Sequence, residues 1–343
     1  MDDSCSLRAW LRSILDTDPN LEVVGEAADA YEASRMIRAL NPDVLTLDIE
    51  MPQVNGLQFL QALMVRRPMP VVMFSSTSAY GSVSAIRALS LGAVDCIPKP
   101  VGIASPKECR DLARRVFSAA SSRVQQPRKM TPDMTSSDRP DASDTDCPIV
   151  LIGASTGGVA ALETVLSELD TFGPPVVIVQ HMPGQFLASF AQLLDRKLPR
   201  DVRLAFDGMY LRRGDIRFAP VLGEHTEVLR RRSSWKIKMR DDAERALHCP
   251  SVDALFSSAA AFGHDVVAAL LTGLGRDGAE GMRLLHYAGA HTIGQDEESC
   301  VIYGMPRVAK ELGGVTRELS LTEIGAALNE ACRARDKQLQ RRT

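Results

Sequence analysis

The sequence predicts two α/β domains, each built on a parallel sheet covered by helices. Apolar strand patterns alternate with amphipathic helix patterns on both sides of residues 118–147. The total of 343 residues exceeds what one hydrophobic core usually holds. Residues 118–147 are rich in Ser, Asp, Thr and Pro, and such a stretch cannot bury enough apolar surface to offset its ordering entropy. We therefore expect domains at residues 1–117 and 148–336, joined by a flexible linker.

The N-terminal domain is predicted from four strand patterns and four helix patterns that alternate. The strands are expected at residues 21–25, 43–47, 70–75 and 93–97, with helices at 31–40, 57–66, up to 91, and 106–120. The C-terminal domain shows the same alternation. Its strands are expected at residues 148–153, 176–180 and 265–272, and its helices at 159–169, 185–194, 252–262 and 279–288. Short β-like runs within residues 202–239 are predicted to form hairpins.

Composition excludes several classes of protein. The formal net charge is −3, so no positive field favours nucleic acid or an anionic membrane. We find no run of about 18 apolar residues and no basic, apolar signal peptide, so no membrane insertion is expected. The seven cysteines form no C-x-x-C pair, which indicates reduced thiols and a cytoplasmic location.

The predicted N-terminal sheet collects charged residues at the carboxyl ends of its strands. Asp48, Ser75 and Lys99 each follow a strand, and Asp2 and Asp3 would join them after a first strand. Clustered carboxylates attract Mg²⁺, and an aspartate beside the metal can accept a phosphoryl group that Lys99 and Ser75 would contact. Each residue alone would more often be a helix cap, turn or loop residue, but together they favour the functional interpretation.

Residues 2–100 resemble a response-regulator receiver domain, with a flavodoxin-like fold. The resemblance rests on DDS at residues 2–4, TLDIEMPQVNGL around Asp48, PVVMFSS at 70–76 and LGAVDCIPKP at 91–100. It implies that Asp48 is phosphorylated by a chemotaxis histidine kinase. It also implies that Asp3, Asp48 and the Glu50 carbonyl hold Mg²⁺, with Asp2 contributing indirectly.

The resemblance has two departures. The family's first strand, central in the 2-1-3-4-5 order, would precede Asp2, whereas this sequence starts at Met1. We therefore expect a slot in the sheet with unpaired backbone groups, and we suspect a start codon assigned too late or a shortened chain. The family's aromatic switch residue is replaced by Cys96, so the usual switching rotamer is not expected.

The C-terminal domain contains candidate residues for a serine hydrolase. Gly153-Ala154-Ser155-Thr156-Gly157 matches the G-x-S-x-G nucleophile turn between a strand and a helix. His181 ends the next strand, and Asp277 follows a later one. A serine needs a base to take its proton, and the base needs an acid to orient it. The order Ser, His, Asp differs from that of the α/β-hydrolases, so the motif alone does not place the domain in that superfamily.

Three alternatives arise, of which the first two remain open at this point. Residues 273–278 spell G-x-G-x-x-G after a strand, and Asp296 follows about 20 residues later, as in a dinucleotide-binding oxidoreductase. The charge of Asp277 would repel a pyrophosphate, and the glycines could instead serve tight packing. A catalytically inactive signalling adaptor is the second alternative. A DNA-binding regulator is the third, and it is disfavoured because no basic recognition helix is evident.

Residues 148–330 resemble the catalytic domain of the CheB family of chemotaxis protein-glutamate methylesterases. The matching segments are IGASTGG at 152–158, QHMP at 180–183, PSVDALF at 250–256, LLTGLGRDGAEGM at 270–282 and ESCVIYGMPRVA at 298–309. The resemblance implies a catalytic triad of Ser155, His181 and Asp277, with the backbone N–H groups of Thr156 and Leu274 at the oxyanion. It implies demethylation and deamidation of methyl-accepting chemotaxis receptors, with no cofactor for the esterase.

Three positions depart from the CheB pattern. Leu274 replaces a methionine, which should preserve the backbone donor. Cys249 replaces an arginine, so a basic contact to substrate would be lost. The segment from Ala219 to His225 is one residue longer than in the family, which alters the expected docking of substrate. Of the other histidines, only His225 is retained as a possible cleft residue.

Overall fold

The computed structural model describes residues 1–52, 54–76, 78–100, 102, 104–124, 146–242 and 248–339. Contacts divide the chain into two compact units, Met1–Arg128 and Lys129–Thr343, so the division falls inside the predicted linker. Most of that linker, residues 125–145, lies outside the described residues.

The N-terminal unit alternates helices with three parallel strands. Its elements are α1 (Cys5–Leu15), α2 (Ala30–Leu40), β1 (Leu45–Asp48), α3 (Gly56–Arg66), β2 (Val71–Ser75), α4 (Ala79–Ser90), β3 (Asp95–Pro98) and α5 (Pro106–Ala120). The strands pair in the order β1-β2-β3. Three predicted strands and all four predicted helices are confirmed to within a few residues. Helix α5 extends to Ala120, three residues into the predicted linker.

The predicted strand at residues 21–25 is wrong, because the segment has no neighbouring strand to pair with. A cavity of about 620 Å³ separates residues 21–27 from β1. Met1 lies at one end of this cavity. The amino group of Met1 donates to the Thr46 carbonyl at 2.8 Å, and the Met1 carbonyl accepts from Asp48 N at 3.0 Å. Asp2 N continues the pattern to the Ala27 carbonyl at 3.2 Å. The cavity therefore lies at the position expected for the slot in the sheet, where a parallel strand would pair with β1.

The C-terminal unit holds a larger parallel sheet. Its elements are β4 (Ile149–Ala154), α6 (Gly158–Ser167), β5 (Val176–Gln180), α7 (Gly184–Lys197), β6 (Asp201–Leu204), β7 (Tyr210–Leu211), β8 (Asp215–Phe218), β9 (Glu224–Arg231), β10 (Ser234–Asp241), α8 (Val252–Ser258), a 3₁₀ helix (Ala260–Asp265), β11 (Val266–Leu270), α9 (Ala279–Tyr287), β12 (His291–Gln295), α10 (Met305–Glu311), β13 (Arg317–Leu319) and α11 (Leu321–Leu339). Seven strands pair in the order β13-β12-β11-β4-β5-β8-β6, all parallel.

The prediction of hairpins within residues 202–239 is only partly correct. Strands β9 and β10 do form an antiparallel hairpin, which β7 extends to three strands. Strands β6 and β8 instead join the parallel sheet, where every residue of β8 is buried. Both strands alternate charged and apolar residues, DVRL in β6 and DIRF in β8, and this pattern is typical of a hairpin strand with one exposed face. The predicted helix at residues 252–262 is also shorter, since α8 ends at Ser258 and the 3₁₀ helix follows.

Strand β4 occupies the centre of the seven-stranded sheet. The chain proceeds from β4 to β5 on one side and later returns to β11 on the other. In parallel α/β sheets, such a reversal opens a crevice at the carboxyl ends of the two central strands. Ser155 follows β4 at this point, so the topology itself exposes the candidate nucleophile. No described helix is both long and apolar enough to cross a membrane.

We predict that an apolar strand fused ahead of Met1 will fill the slot and stabilise the N-terminal unit. Burying five side chains of a Val-Leu-Val-Ile-Val extension should contribute roughly 1.5–3 kcal/mol each, against roughly 1–2 kcal/mol per residue of backbone entropy. We expect a net gain of about 2–5 kcal/mol in the free energy of unfolding. Urea unfolding and hydrogen exchange at the Thr46 amide would measure it, with Gly-Ser-Gly-Ser-Gly as the matched control. Equal stability of the two extended chains would contradict the interpretation of the slot.

Candidate active site and acidic pocket

Ser155 sits in a tight turn between β4 and α6. Its N–H donates to the Thr272 carbonyl at 3.0 Å, which continues the pairing of β4 with β11. The turn then requires Gly157, whose φ of +79° is strained for any residue with a side chain. Gly273 allows close approach from the other side, because a Cβ there would lie 2.7 Å from the Ser155 Cβ. The serine is thus held by backbone geometry on both flanks.

His181 follows β5 and lies beside Ser155. The register pairs Ala154 with Gln180, and His181 N donates to the Ala154 carbonyl at 3.0 Å. Gln180 fixes both candidates: its side-chain amide donates to the carbonyls of Ser155 at 2.9 Å and His181 at 3.1 Å. Sequence reasoning assigned no role to Gln180, although a polar residue ending a buried strand is a signal that could have identified it.

Asp277 meets His181 from the loop after β11. Its Oδ2 lies 2.9 Å from the Nε2 atom of His181. The carboxylate also accepts from Ser251 Oγ at 2.7 Å, Val252 N at 2.8 Å and Asp253 N at 3.0 Å, at the start of α8. Burial alone would raise the pKa of Asp277, but His181 and the backbone donors outweigh it and hold that pKa well below its ordinary value. The carboxylate is therefore ionised across the physiological range.

The orientation of the imidazole assigns different roles to its two nitrogens. With Nε2 against the Asp277 carboxylate, the ring proton is stabilised on Nε2. Both ring nitrogens are buried, and neither makes a hydrogen bond of good geometry with a described residue, so Nε2 meets Asp277 as a close ion-pair contact. A proton on Nε2 would leave the lone pair on Nδ1. The structure brings all three sequence-predicted residues to one edge of the sheet.

The segment before α8 contributes contacts that sequence reasoning missed. The ring of His248 stacks on His181 with centroids 4.4 Å apart and an angle of 17° between the planes. Asp253 lies beside Asp277, and burial together with that neighbouring charge raises the pKa of Asp253 to about 6. Its Oδ1 accepts from Gly281 N at 2.6 Å. The apolar pattern of PSVDALF predicted a helix, but pattern alone cannot show what the helix start contacts.

The two predicted oxyanion donors flank Ser155. Thr156 follows it directly, and its carbonyl accepts a hydrogen bond from the Thr272 hydroxyl at 3.1 Å. Leu274 follows Gly273, whose carbonyl accepts from Met305 N at 2.9 Å. No described residue accepts a hydrogen bond from the N–H of either Thr156 or Leu274. Two unpaired backbone donors near a nucleophile are what an oxyanion requires.

His225, Asp242 and Cys249 form a cluster whose possible ligand atoms lie within 4.8 Å of one another. Ser251 N donates to Nδ1 of His225 at 3.1 Å, so the ring proton must sit on Nε2. That Nε2 lies 3.2 Å from Asp242 Oδ1 and suits a hydrogen bond. A metal would need the same nitrogen without its proton, so this cluster is better suited to supporting the Ser251 backbone.

The G-x-G-x-x-G loop has no features of a nucleotide site beyond its glycines. The Asp277 carboxylate is engaged by His181 and the start of α8. The Asp296 carboxylate accepts from the backbone N of Ser299 at 2.9 Å and from its hydroxyl at 2.5 Å. Neither acid is therefore left for a ribose, and the dinucleotide alternative gains no support.

The N-terminal unit gathers its acidic residues at the carboxyl end of β1. Asp2 and Asp48 are buried and Asp3 is exposed, with possible ligand oxygens all within 4.8 Å. Lys99 Nζ lies 2.7 Å from Asp48 Oδ2 and 3.5 Å from Asp2 Oδ2. Burial, together with the charge of Asp2, raises the pKa of Asp48 despite its contact with Lys99. The pocket therefore holds more negative charge than its lysine neutralises.

The residues around Asp48 follow the predicted arrangement. Ser75 is fully buried, and its carbonyl accepts from Lys99 N at 2.8 Å, so the two residues end adjacent strands. Glu50 N donates to Asp48 Oδ1 at 3.1 Å, which places the Glu50 backbone beside the carboxylate. Cys96 is buried in β3.

The donor set of this acidic pocket fits a hard divalent cation. The three carboxylates supply oxygen ligands, the kind that Mg²⁺ prefers. Asp2 Oδ2 is buried, and the Lys99 ammonium lies 3.5 Å from it. One lysine that faces two buried carboxylates leaves part of their charge uncompensated, and a divalent cation would offset it. Asp2 thus stands beside the candidate ligands Asp3 and Asp48.

Two family models match this chain. Residues 150–328 match the family described as CheB methylesterase, and residues 1–108 match the response regulator receiver domain. One match falls in each unit of the structure.

Similar proteins extend over nearly the whole chain. A protein-glutamate methylesterase/protein-glutamine glutaminase 1 from Caulobacter vibrioides is 44% identical over 98% of this chain and 97% of its own. A protein-glutamate methylesterase/protein-glutamine glutaminase from Agrobacterium fabrum is 43% identical over 98% of this chain and 96% of its own. The crystal structure of the Thermotoga maritima CheB methylesterase catalytic domain matches with a TM-score of 0.51 and 31% identity, covering 54% of this chain and 98% of that one.

We predict that Asp253→Asn will change how stability depends on pH. The raised pKa of Asp253, about 6, means that the folded state favours its protonated form. Asp253 therefore contributes fully to the stability of the parent below about pH 3.9, the pKa of an aspartate in the unfolded chain. This contribution is lost as the pH rises through about 6, the pKa of Asp253 in the folded chain. The variant should therefore gain stability relative to the parent between about pH 4 and pH 6, and the difference should then level off.

Urea unfolding at several pH values would measure this difference. Glu311→Gln, which removes an exposed carboxylate from α10, controls for the loss of one negative charge. Parallel pH profiles for the Asp253→Asn variant and the parent would contradict the assignment.

Proposed function

We propose a function for this chain from one premise: it belongs to the CheB methylesterase family and carries a response regulator receiver domain in its N-terminal unit. We infer that it is a serine hydrolase that demethylates glutamate methyl esters on methyl-accepting chemotaxis receptors. The single observation that supports the chemistry best is the convergence of Ser155, His181 and Asp277 at one sheet edge, with Asp277 2.9 Å from the imidazole.

In the proposed reaction, Ser155 Oγ attacks the γ-carbonyl of a glutamyl methyl ester. His181 Nδ1 accepts the serine proton, and Asp277 stabilises the imidazolium through Nε2. The N–H groups of Thr156 and Leu274 hold the oxyanion of the tetrahedral intermediate. When the intermediate collapses, the C–O bond to methanol breaks and His181 returns the proton to the departing oxygen.

The acyl-enzyme is then hydrolysed by the same groups. Water gives a proton to His181 and attacks the acyl carbon, and the bond to Ser155 Oγ breaks as that oxygen recovers the proton. The product is a free glutamate side chain. A glutamine substrate follows the same path with ammonia as the leaving group, which accounts for the paired names of the relatives.

We propose that Asp48 is phosphorylated by a chemotaxis histidine kinase and controls this activity. Asp3, Asp48 and the Glu50 carbonyl would hold Mg²⁺, with Asp2 contributing indirectly, and the bound ion would neutralise charge that develops on the transferred phosphoryl group. Lys99, whose Nζ lies 2.7 Å from Asp48 Oδ2, and Ser75 would contact the phosphoryl oxygens. Following the family precedent, phosphorylation of Asp48 would shift a two-state equilibrium of the chain towards its active form.

We predict that Ser155→Ala will abolish methanol release from methylated receptor. Loss of the nucleophile in a serine triad lowers kcat by roughly four to six orders of magnitude. Ser167→Ala, an exposed serine at the end of α6, is the matched control and should retain full activity. Methanol release at parental rates from the Ser155→Ala chain would refute the mechanism and would favour an inactive adaptor or another active site.

We predict that Asp48→Ala will leave basal esterase activity in place but remove its response to acetyl phosphate. The substitution removes the acceptor carboxylate without touching the C-terminal unit. Asp43→Ala, an exposed aspartate before β1, is the matched control and should respond as the parent does. The ratio of methanol release with and without phosphodonor is the measurement. Stimulation of the Asp48→Ala chain would refute the assigned phosphorylation site.

A further inference from the structure

Three large apolar side chains lie on the same sheet edge as the candidate active site. Phe206 is 60% exposed, Leu222 73% and Val221 37%. Phe206 follows β6, and Val221 and Leu222 follow β8. Exposed apolar residues are common singly, but a group at a catalytic edge indicates a contact surface.

The strand register places these residues level with the catalytic ones. Ala154 pairs with Gln180, and Ile178 pairs with Phe218. The residues that follow β4, β5 and β8 therefore lie at the same level along the strand direction. Phe218 pairs in turn with Leu204 at the end of β6. Neighbouring strands lie about 4.8 Å apart, so the loop after β8 is about 10 Å from the line of Ser155 and the loop after β6 is about 15 Å away.

The loop after β8 is anchored to the element that carries His181. Ala219 N donates to the Ile178 carbonyl at 2.8 Å, and at the other end Glu224 pairs with Asp241. A Cβ on Gly184, three residues after His181, would lie 3.4 Å from the Val221 Cβ. Val221 therefore packs beside the turn that follows β5, while Leu222 projects outward between two fixed ends. This loop belongs to the segment that is one residue longer than the CheB pattern.

We propose that Phe206, Val221 and Leu222 form an apolar docking strip for the polypeptide that carries the reacting glutamyl side chain. The proposal rests on the proposed function and names the part of the substrate that this chain recognises. A methyl ester alone offers few contacts, so binding energy must come from neighbouring residues of the substrate. The three side chains carry no charge and follow strands that end at the same sheet edge as Ser155 and His181, so the strip selects apolar substrate side chains.

The dimensions of the strip predict where those side chains lie in the substrate. At 1.5 Å per residue, a helical substrate places an apolar residue about seven positions from the target glutamate at the distance of Leu222, and on the same helix face. At about 3.3 Å per residue, an extended substrate covers that distance in about three positions, and because side chains alternate faces the apolar residue would lie about two or four positions away. A helical and an extended substrate would both make apolar contacts with the strip. Replacing the apolar residues of the substrate one position at a time distinguishes the two conformations.

The first experiment compares a protein substrate with a short one in the full-length chain, with acetyl phosphate present. Leu222→Glu should raise KM for methylated receptor roughly tenfold or more, because a carboxylate cannot enter an apolar contact. Its kcat/KM for a three-residue peptide bearing a glutamate γ-methyl ester should stay within about twofold of the parent. Tyr287→Glu is the matched control, because Tyr287 is 71% exposed at the end of α9 and lies off the catalytic edge; both values should be unchanged.

A second variant keeps the proposal testable if Leu222→Glu disturbs the loop. Phe206 lies on a separate loop, the one after β6. The Phe206→Glu variant should show the same selective rise in KM for receptor. In the substrate, Leu→Asp replacements at increasing distance from the target glutamate should weaken turnover by the parent at about position seven of a helical substrate, or at about position two or four of an extended one. The same replacements should have little further effect on the Leu222→Glu chain, because the contact is already lost.

Unchanged KM for receptor in both enzyme variants would overturn the proposal. A higher rate on receptor without phosphodonor would also overturn it, because the strip would then be covered by the receiver domain rather than by substrate. A change of oligomeric state in the variants would assign the strip to a second copy of the chain. Absence of ester hydrolysis on both substrates in the parent would instead refute the proposed function.

Discussion

The buried carboxylate of Asp277 is the interaction on which the candidate active site depends. An ionised group inside a protein must be matched by donors, and Asp277 has three at the start of α8 besides His181. Ser251 serves twice, as the N-cap of α8 and as a donor to this carboxylate. Helix α8 must therefore sit against the loop after β11, and this placement fixes the imidazole that faces Ser155. The same carboxylate thus stabilises the start of α8 and orients the imidazole of His181.

Both units use the same property of parallel sheets to assemble distant residues. Carboxyl ends of neighbouring strands meet at one edge, which brings Ser155 beside His181 in one unit and Asp48 beside Lys99 in the other. The N-terminal unit keeps this arrangement although a cavity adjoins β1. Among the described residues, Met1 and Asp2 continue the backbone hydrogen bonding of β1 at the end nearest the acidic pocket. These hydrogen bonds position the Asp2 carboxylate.

How much the sequence could predict follows from this geometry. Periodicity located β4, β5 and β11, and the rule of strand ends then placed Ser155, His181 and Asp277 on one edge. Periodicity could not distinguish β8 from a hairpin strand, because Asp215 and Arg217 alternate with apolar residues and yet are buried as an ion pair. It also predicted a strand at residues 21–25 that has no partner to pair with. It also could not reveal that His248 stacks on His181, because that contact joins residues 67 positions apart through a loop of no regular pattern.

The departures from the CheB pattern differ in consequence because backbone and side-chain roles tolerate substitution differently. Leu274 retains the N–H that an oxyanion would use, so replacing methionine there leaves the donor intact. Cys249 stands next to His225 and Asp242, whose hydrogen bond supports the Ser251 backbone behind Asp277 rather than the reacting atoms. Leu222 is different, since its side chain is exposed on the loop after β8. Backbone geometry therefore holds the residues at the sheet edge, while an exposed side chain on a neighbouring loop can change without disturbing them.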